Sequence, residues 1–405
     1  MRLLIAPLHY VANPNDGSEY TRAYNSLVAL SKYDDLNGDV LVGHMNETQL
    51  GNFTIHSYFK NKPEYISNLD RIKFIFWVYL NGRKLLRHHH YDVLWHNGPF
   101  AIGETFNLLL MQNKNKIQSI VGPIFSPHTY MGSDEARSMG NKNAKYNLYF
   151  LLLKNIDHAT YFISKLFKRF SHQTLSSSNY ILTIDTSVKQ ILQNLGHKNI
   201  YNFMLGNDMT PFLYLRNPHR SSKIHLLSVS YLVERKRTTD LIKGIKILVE
   251  EHKFTDFIME IVGDGPQLQS LKKLAISLRL TKYIRFMGFV PNKDLPKYYR
   301  MADIFISASI SESMPAMYLE AMASSLPLII ARNNCTPDLQ RVKFGGLVIN
   351  QKSPKELAMS IYKLVTNPSL VTKYGQKNYA ISISKYSHAK QISKLVRLMR
   401  QITGA

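Results

Sequence analysis

The chain has 405 residues, a length that exceeds one ordinary hydrophobic core and predicts about two domains. Hydrophobic residues make up 45% of it and charged residues 20%, which is typical of a globular protein and excludes a wholly disordered chain. Its one cysteine, Cys335, excludes an intramolecular disulfide and favours a reducing, cytoplasmic setting.

The net charge of +23 favours an anionic partner, but charge alone does not distinguish nucleic acid, anionic lipid and a phosphorylated substrate. The sequence has no recognised nucleic-acid reader motif and no regularly spaced aromatic residues for base stacking, so we expect no specific nucleic-acid binding. No apolar run approaches the roughly 20 residues that span a bilayer. No segment has the pattern of a signal peptide. We therefore expect a cytoplasmic protein.

Two short apolar stretches with basic neighbours leave a contact with an anionic membrane surface open. They are residues 74–80 (FIFWVYL) and 146–153 (YNLYFLLL). Each is short enough to be a buried strand or helix, and each also fits a membrane-surface helix flanked by Lys and Arg. If the protein is peripheral on the inner membrane face, residues 71–87 and 154–169 are the expected anchors.

Strand and helix patterns alternate along the first half. The apolar residues 3–6 predict a buried opening strand, and residues 18–30 have the periodicity of a helix. Further strands are predicted at residues 39–42, 93–95, 119–121 and 180–184. Such alternation favours a parallel sheet that is covered by helices on both faces.

The second half repeats this alternation. Strands are predicted at residues 225–229, 257–262, 284–286, 304–307 and 328–331, with helices at 238–250 and 267–278. The sequence therefore predicts an α/β chain of two Rossmann-like doubly wound domains that face each other across a cleft.

Turn residues mark the expected domain boundary. Gly, Asn, Asp and Pro cluster at residues 206–217. We therefore expect an N-terminal domain at residues 1–205 and a C-terminal domain at residues 206–387. A basic amphipathic helix within residues 388–405 is expected to cross back to the N-terminal domain.

The strongest functional signal is the pair Glu312 and Glu320 in SESMPAMYLEAMA. A predicted strand ends before Glu312, and Pro315 suits the first turn of the next helix, where the N–H that proline lacks is not needed. The helix N-terminus at residues 313–317 offers backbone N–H groups and a positive dipole end, which favour a diphosphate. The alternative is two exposed glutamates on an ordinary helix.

A second signal is the charged loop that follows the strand at residues 225–229. In order, it contains Glu234, Arg235, Lys236 and Arg237. Cations at a strand end, beside the crevice of a sheet, can neutralise a diphosphate leaving group. A solvated basic turn is the alternative. Glycine turns follow two later strands, VGDGP with Gly263 and Gly265, and GFVP; glycine allows a ligand to approach the backbone closely.

Two histidines follow predicted strands. His96 lies in DVLWHNGP and His128 in GPIFSPH, and each could be packed or at the surface. The neighbours at residues 88–90 are all histidines, but adjacent side chains cannot all face one ion. We predict a basic turn there and no metal site.

Together these motifs resemble the retaining glycosyltransferases of the two-domain GT-B architecture, family 4, which belong to the glycosyl transferases group 1. The resemblance is specific over residues 200–387, where it covers the Lys236 loop, VGDGP, GFVP, residues 301–303, the glutamate pair and residues 345–348. The first half matches more loosely, through its opening strand, the Gly17-Ser18-Glu19 loop, DVLWHNGP and residues 181–185.

The resemblance implies an N-terminal acceptor-binding domain at residues 1–205 and a C-terminal nucleotide-sugar-binding domain at 206–387, which holds most of the donor site. Glu312 would face the donor sugar and the diphosphate, Glu320 would bind ribose hydroxyls, and Lys236 would bind the diphosphate. Gly17 would close over the phosphates, and Val290 would meet the nucleobase through its backbone. The remaining donor-site residues would be Arg235, Gly263, Gly265, Ser313, Met314, Pro315 and Ala316. The resemblance also implies an active-site histidine on the acceptor side, for which His128 and His96 are the candidates.

The chain departs from the family pattern around the phosphates. Tyr231 stands where an arginine is usual, five residues before the lysine, and Arg235 or Arg237 could replace its charge. Ser230, Arg237 and Ser313 stand where glycines are common. These changes favour donor binding over fast transfer.

The implied activity is metal-independent transfer of a sugar, with retention, from a donor such as a UDP-sugar or GDP-sugar to a glycan or lipid-linked acceptor. No cofactor is implied. Lys236 and the helix N–H groups would stabilise the leaving diphosphate while the acceptor hydroxyl attacks from the same face. Tyr231 and the lost glycines keep an alternative open, a GT-B scaffold without turnover that binds a glycan or a partner protein.

Overall fold

A computed structural model describes residues 1–12, 18–63, 66, 68–98, 106–124, 169–203, 208–215 and 223–404. The chain divides into two compact units: Met1–Asn207 together with His388–Ala405, and Asp208–Ser387. Gly17, His128 and the apolar stretch at residues 146–153 lie outside the described residues, as do residues 154–168 of the second expected anchor.

An eight-stranded sheet forms the centre of the first unit. Its strands are β1 (Arg2–Ile5), β2 (Asn37–Val42), β3 (Gln49–Leu50), β4 (Phe53–Ser57), β5 (Val93–His96), β6 (Gln118–Ile124), β7 (Tyr180–Thr183) and β8 (Ile200–Asn202). They lie in the order β3-β4-β2-β1-β5-β6-β7-β8, and the described pairs are parallel except β3 with β4. Strand order reverses between β1 and β5.

Helices connect these strands. They are α1 (Ser18–Leu30), α2 (Asn68–His88), α3 (Leu108–Gln112) and α4 (Thr186–Asn194), and residues 169–177 are also helical. Asn107 and Asp185 cap α3 and α4, because each side chain accepts a hydrogen bond from a backbone N–H of the first turn.

The second unit contains a parallel six-stranded sheet. Its strands are β9 (Ile224–Val229), β10 (Phe257–Val262), β11 (Ile284–Gly288), β12 (Ile304–Ser307), β13 (Leu328–Ala331) and β14 (Gly346–Ile349). The order β11-β10-β9-β12-β13-β14 is the Rossmann order, with its reversal between β9 and β12. All six residues of β10 are buried, as expected for a strand that helices cover on both faces.

Eight further helices are described after β9. They are α5 (Thr238–Glu250), α6 (Leu268–Ser277), α7 (Leu295–Met301), α8 (Ala316–Ala323), α9 (Thr336–Arg341), α10 (Pro354–Val365), α11 (Pro368–Ile381) and α12 (His388–Thr403). The last one, α12, packs in the first unit. It buries Ile392, Leu395, Val396 and Met399, whose spacing puts them on one helix face, against the core that contains Leu3.

The predicted pair of Rossmann-like α/β domains is confirmed by the two sheets and their helices. The apolar residues 74–80 form part of helix α2 and are not a strand. Pro315 precedes α8 as its N-cap residue, so the helix begins one residue later than predicted, at Ala316. Among the described residues, no helix has the length and hydropathy needed to cross a membrane.

Candidate functional site

Two loops meet where the strand order of the second unit reverses. β9 and β12 are neighbours, with Leu226 opposite Ile304 and Leu227 opposite Phe305. Their carboxyl ends lead into the loops at residues 230–237 and 308–315. In open α/β sheets the ligand crevice lies at such a reversal, outside the carboxyl ends of the strands. The structure therefore brings the cationic loop and the Glu312 loop to one crevice.

Hydrogen bonds hold these two loops together. The N–H of Ile310 and the hydroxyl of Ser309 both donate to the carbonyl of Arg235, at 3.1 and 3.3 Å. In return, the guanidinium of Arg235 donates to the carbonyl of Ser311 at 3.2 Å. These bonds fix the backbone on both sides of Lys236 and Glu312.

Arg235, Lys236 and Glu312 form a charge cluster at the crevice. Nζ of Lys236 donates to Oε1 of Glu312 at 2.5 Å, and the two side chains are 9% and 5% exposed. Nη1 of Arg235 lies 3.9 Å from the other carboxylate oxygen. A buried charge is costly unless it is paired, so each member of this cluster stabilises the others. With two cations and one carboxylate, the cluster has a net positive charge and favours an anionic ligand.

Arg237 is directed elsewhere. It donates to both carboxylate oxygens of Asp240, at 2.8 and 2.9 Å, and to Glu234 at 2.6 Å. The hydrogen bond to Asp240 is the main cause of a raised pKa of Arg237. Its backbone is left-handed, with φ of 52°, which turns the chain into α5. Of the two arginines that could replace the charge missing at Tyr231, the structure brings Arg235 to the crevice.

The N-terminus of α8 adjoins Glu312. Pro315 is the N-cap residue in an extended conformation and makes no side-chain cap hydrogen bond. The N–H groups in the first turn of α8 thus have no partner from the capping side chain, and the positive end of the helix dipole lies there. Ser313 and Met314 are buried, while Ala316 is half-buried. Met314 has φ of 42°, a conformation uncommon for a residue with a side chain.

Glu320 is held inside α8 by a tyrosine that sequence reasoning missed. Glu320 is 7% exposed, and the hydroxyl of Tyr299 donates to its Oε2 at 2.7 Å. Burial, followed by the negative charge of Glu320, raises the pKa of Tyr299 well above its usual value. Tyr299 belongs to α7 and no spacing rule links it to Glu320, so only the fold reveals this pair.

A second buried tyrosine lies beneath the Glu312 loop. Tyr318 donates to Ser307 Oγ at 3.1 Å and accepts from Asn333 Nδ2 at 3.2 Å. Burial and then the charge of Glu312 raise its pKa well above the usual value. Asn333 also donates to the carbonyl of Ser309 at 3.3 Å, so this network supports the loop from below.

The predicted glycines lie against a neighbouring loop. At Gly263, with φ of +135°, a Cβ would lie 1.9 Å from the carbonyl oxygen of Ser230. At Gly265, with φ of +154°, it would lie 2.6 Å from the carbonyl oxygen of Leu232. The loop after β9, and not a ligand, is therefore what approaches the backbone of these two glycines closely. Val290 is half-buried and lies in the loop that follows β11, the strand beside β10.

His96 lies at the corresponding strand reversal of the first unit, at the carboxyl end of β5 beside β1. It is 1% exposed, and its Nδ1 lies 3.0 Å from Nδ2 of Asn107. The Asn107 amide is oriented by its other bonds, since Oδ1 accepts from Leu110 N and Nδ2 donates to the carbonyl of Ala6. Nδ1 of His96 accepts this hydrogen bond when the ring carries its proton on Nε2.

His9 is a further histidine of this region, and the sequence analysis did not single it out. It is 1% exposed and follows β1 at the edge where His96 follows β5. Burial, and then the charges of Arg71 and His96, lower its pKa to about 3. A histidine shortly after the first strand of a doubly wound sheet is the signal that would have found it. The histidines at residues 88–90 are exposed, and the described part of the chain contains no cluster of three metal-binding side chains.

Comparison with known proteins identifies the second unit. Residues 215–381 match the family model of the glycosyl transferases group 1. The chain is 30% identical over 168 residues to alpha-monoglucosyldiacylglycerol synthase of Acholeplasma laidlawii, covering 42% of this chain and 41% of that one. It is 24% identical over 181 residues to a GDP-mannose-dependent alpha-(1-6)-phosphatidylinositol monomannoside mannosyltransferase of Mycolicibacterium smegmatis, covering 43% and 47%. The chain thus spans less than half the length of these relatives.

The fold of the whole chain is similar to that of a solved glycosyltransferase. Sucrose-phosphate synthase of Thermosynechococcus elongatus superimposes over 100% of this chain and 99% of its own, with a TM-score of 0.68 at 13% identity. This likeness concerns the fold, which is that of the GT-B glycosyltransferases. The expected resemblance to the GT-B glycosyl transferases group 1 is confirmed, and residues 215–381 match the model of that family.

Proposed function

We propose that this chain is a retaining, metal-independent glycosyltransferase that uses a nucleotide diphosphate sugar and needs no further cofactor. The observation that carries this proposal is the charge cluster of Arg235, Lys236 and Glu312, located at the strand reversal of a group 1 domain. A site with an excess of cations beside a helix N-terminus suits a diphosphate.

The donor is proposed to lie along the carboxyl edge of the second sheet. Lys236, Arg235 and the first-turn N–H groups of α8 bind the diphosphate, and Glu312 orients the sugar. Glu320, which Tyr299 holds in position, binds ribose hydroxyls. The backbone near Val290 meets the nucleobase, with the Gly263 turn between it and the phosphates.

In the proposed reaction, the acceptor hydroxyl attacks the anomeric carbon from the face that the diphosphate leaves. The bond from this carbon to the phosphate oxygen breaks, the bond to the acceptor oxygen forms, and the hydroxyl proton passes to the departing phosphate. Negative charge grows on the diphosphate during this step. Lys236, Arg235 and the α8 dipole stabilise that charge, which lowers the barrier.

The proposed acceptor is a glycan or a lipid-linked molecule bound by the first unit. The names of two relatives support a lipid, since one makes monoglucosyldiacylglycerol and the other acts on a phosphatidylinositol monomannoside. With its proton on Nε2, His96 would donate a hydrogen bond to an acceptor or donor oxygen and would not accept the hydroxyl proton. The protein would work in the cytoplasm, on the inner face of the membrane.

A donor screen tests this proposal. Thermal unfolding is measured with UDP-, GDP- and ADP-sugars, because a ligand that binds the native state raises the unfolding temperature. We expect one nucleotide class to raise it, and the sugar of that donor to be transferred or slowly hydrolysed in the presence of a chelator. Binding without any turnover would favour the alternative, a scaffold that binds a glycan or a partner protein. If no nucleotide raises the unfolding temperature, the proposal is wrong.

A further inference from the structure

Helix α2 exposes a stripe of large apolar side chains. Leu69, Ile72, Phe76 and Leu80 are 58%, 39%, 54% and 63% exposed. Their spacing of three or four residues places them on one face of the helix. Such a continuous apolar stripe is unusual on a surface that faces only water.

The opposite face anchors α2 in the first unit. Phe74 and Val78 are buried in its core. The centroid of the Phe74 ring lies 5.3 Å from that of Tyr10 and 5.8 Å from that of Tyr58. Because these buried contacts fix the rotation of the helix, the apolar stripe is held outward.

Cations share the exposed face with the stripe. Lys73 is exposed within it, and the exposed residues Arg83, Lys84 and Arg87 continue the same face beyond Leu80. The one acidic residue of α2 is Asp70, in the first turn, and it is half-buried. The face therefore combines an apolar half with a cationic half and exposes no carboxylate.

We propose that α2 docks the first unit onto an anionic lipid bilayer. The helix lies in the plane of the interface, the apolar stripe enters the boundary between headgroups and acyl chains, and the cations contact lipid phosphates. A bilayer complements both halves of the face. A nucleic acid would complement the cations alone.

The buried face of α2 adjoins the strand reversal of the first unit. A narrow apolar pocket lies between α2 and the loop after β1, lined by Pro7, Tyr10, Phe74, Ile75, Val78, Phe106 and Asn107. Asn107 also holds Nδ1 of His96. The docking of α2 rests on the membrane location in the proposed function, but it does not depend on the donor site or on sugar transfer.

Vesicle flotation tests the docking. The full chain is mixed at low salt with vesicles of phosphatidylcholine, alone or with phosphatidylglycerol. The test variant is Phe76→Glu/Leu80→Glu, and its matched control is Ile276→Glu, at a 63% exposed apolar position on α6 of the second unit. We expect the wild type and the control to float with the anionic vesicles, and the test variant to bind at least about tenfold more weakly.

A second variant separates apolar insertion from general attraction to the net charge. Arg83→Gln/Lys84→Gln should weaken binding to anionic vesicles and reduce its sensitivity to salt. Failure of the wild type to bind anionic vesicles would overturn the proposal. So would equal binding by Phe76→Glu/Leu80→Glu, since the charge of the whole protein would then account for it. An unchanged unfolding temperature confirms that each variant folds, and an unchanged response to nucleotides separates this result from the fate of the donor site.

Discussion

Nζ of Lys236 lies 2.5 Å from Oε1 of Glu312, and this bond joins residues 76 positions apart in the sequence. The lysine follows β9 and the glutamate follows β12, so the pair spans the reversal of strand order. Glu312 thereby keeps the ammonium group of Lys236 at the crevice, where the leaving diphosphate is proposed to lie.

Replacing Glu312 with Gln should lower sugar transfer by about a hundredfold or more. The amide keeps the shape and a hydrogen-bond acceptor but loses the charge that pairs with Lys236 and orients the sugar. Initial rates with the donor identified by the screen measure the effect. An unfolding temperature near that of the wild type is the control for folding. Near-normal turnover by a folded Glu312→Gln protein would contradict the assigned role.

Arg235 and Arg237 should respond differently to substitution by Ala. Arg235→Ala should weaken nucleoside diphosphate binding about tenfold, because one cation of the charge cluster is lost. Arg237→Ala should leave this affinity unchanged but lower the free energy of unfolding by about 1–3 kcal/mol, since the buried Asp240 loses its partner. Calorimetric titration and denaturant unfolding measure the two quantities. The reverse pattern would mean that Arg237 supplies the charge missing at Tyr231.

Tyr299→Phe should weaken donor binding severalfold while leaving kcat close to the wild-type value. The hydroxyl of Tyr299 is proposed to position Glu320 for ribose hydroxyls, which do not take part in bond breaking. Steady-state kinetics with the intact donor, compared with binding of inorganic pyrophosphate, distinguish the ribose from the phosphates. Equal weakening for both ligands would indicate a general loss of structure.

Gly263→Ala should destabilise the protein by several kcal/mol more than Gly288→Ala. Both glycines have positive φ, which costs alanine about 1–2 kcal/mol. At Gly263 a Cβ would also lie 1.9 Å from the Ser230 carbonyl, whereas at Gly288 nothing lies within 4 Å. Chemical denaturation measures the difference in free energy of unfolding. Similar losses for the two variants would mean that the loops after β9 and β10 are not packed as described.

His9 should make folding less favourable in acid. The pKa of His9 is about 3 in the folded protein, whereas the ordinary value of 6.5 applies to the unfolded chain. The unfolded chain therefore binds a proton more readily than the folded protein. Its contribution to stability is complete above pH 6.5 and is lost, by about 1.4 kcal/mol per pH unit, as the pH falls from 6.5 towards 3. The unfolding free energy of His9→Gln should depend less steeply on pH in this window. An exposed control, His88→Gln, should keep the wild-type slope, and an identical slope for His9→Gln would exclude this assignment.

Much of the fold could be predicted because local pattern and tertiary environment agree. The predicted helices at residues 18–30 and 238–250 and the predicted strands at 304–307 and 328–331 have the bounds found in the structure. In the two helices the apolar periodicity matches the face that the core buries, and each of the two strands is a short apolar run whose four residues are all buried. The two-residue strand β3 could not be predicted, because it is too short for an apolar pattern. It is a strand only because the fold places it antiparallel to β4.

The site could be predicted only in part. The sequence singles out Lys236 and Glu312 as charged residues after strands, but it cannot tell which neighbouring arginine turns towards them. That choice follows from the left-handed backbone at Arg237 and from the carboxylate of Asp240. Tyr299 and His9 escaped notice because their importance comes from burial beside a charged or ionisable group.

The central claim is that the donor diphosphate binds beside Lys236 and Glu312. The most direct measurement is calorimetric titration of wild type and Lys236→Met with the nucleoside diphosphate that the donor screen identifies. Met keeps the aliphatic length of lysine and removes its charge. The account predicts that affinity falls by about tenfold or more in a protein that remains folded. Equal affinity in the two proteins would contradict it and would put the diphosphate elsewhere.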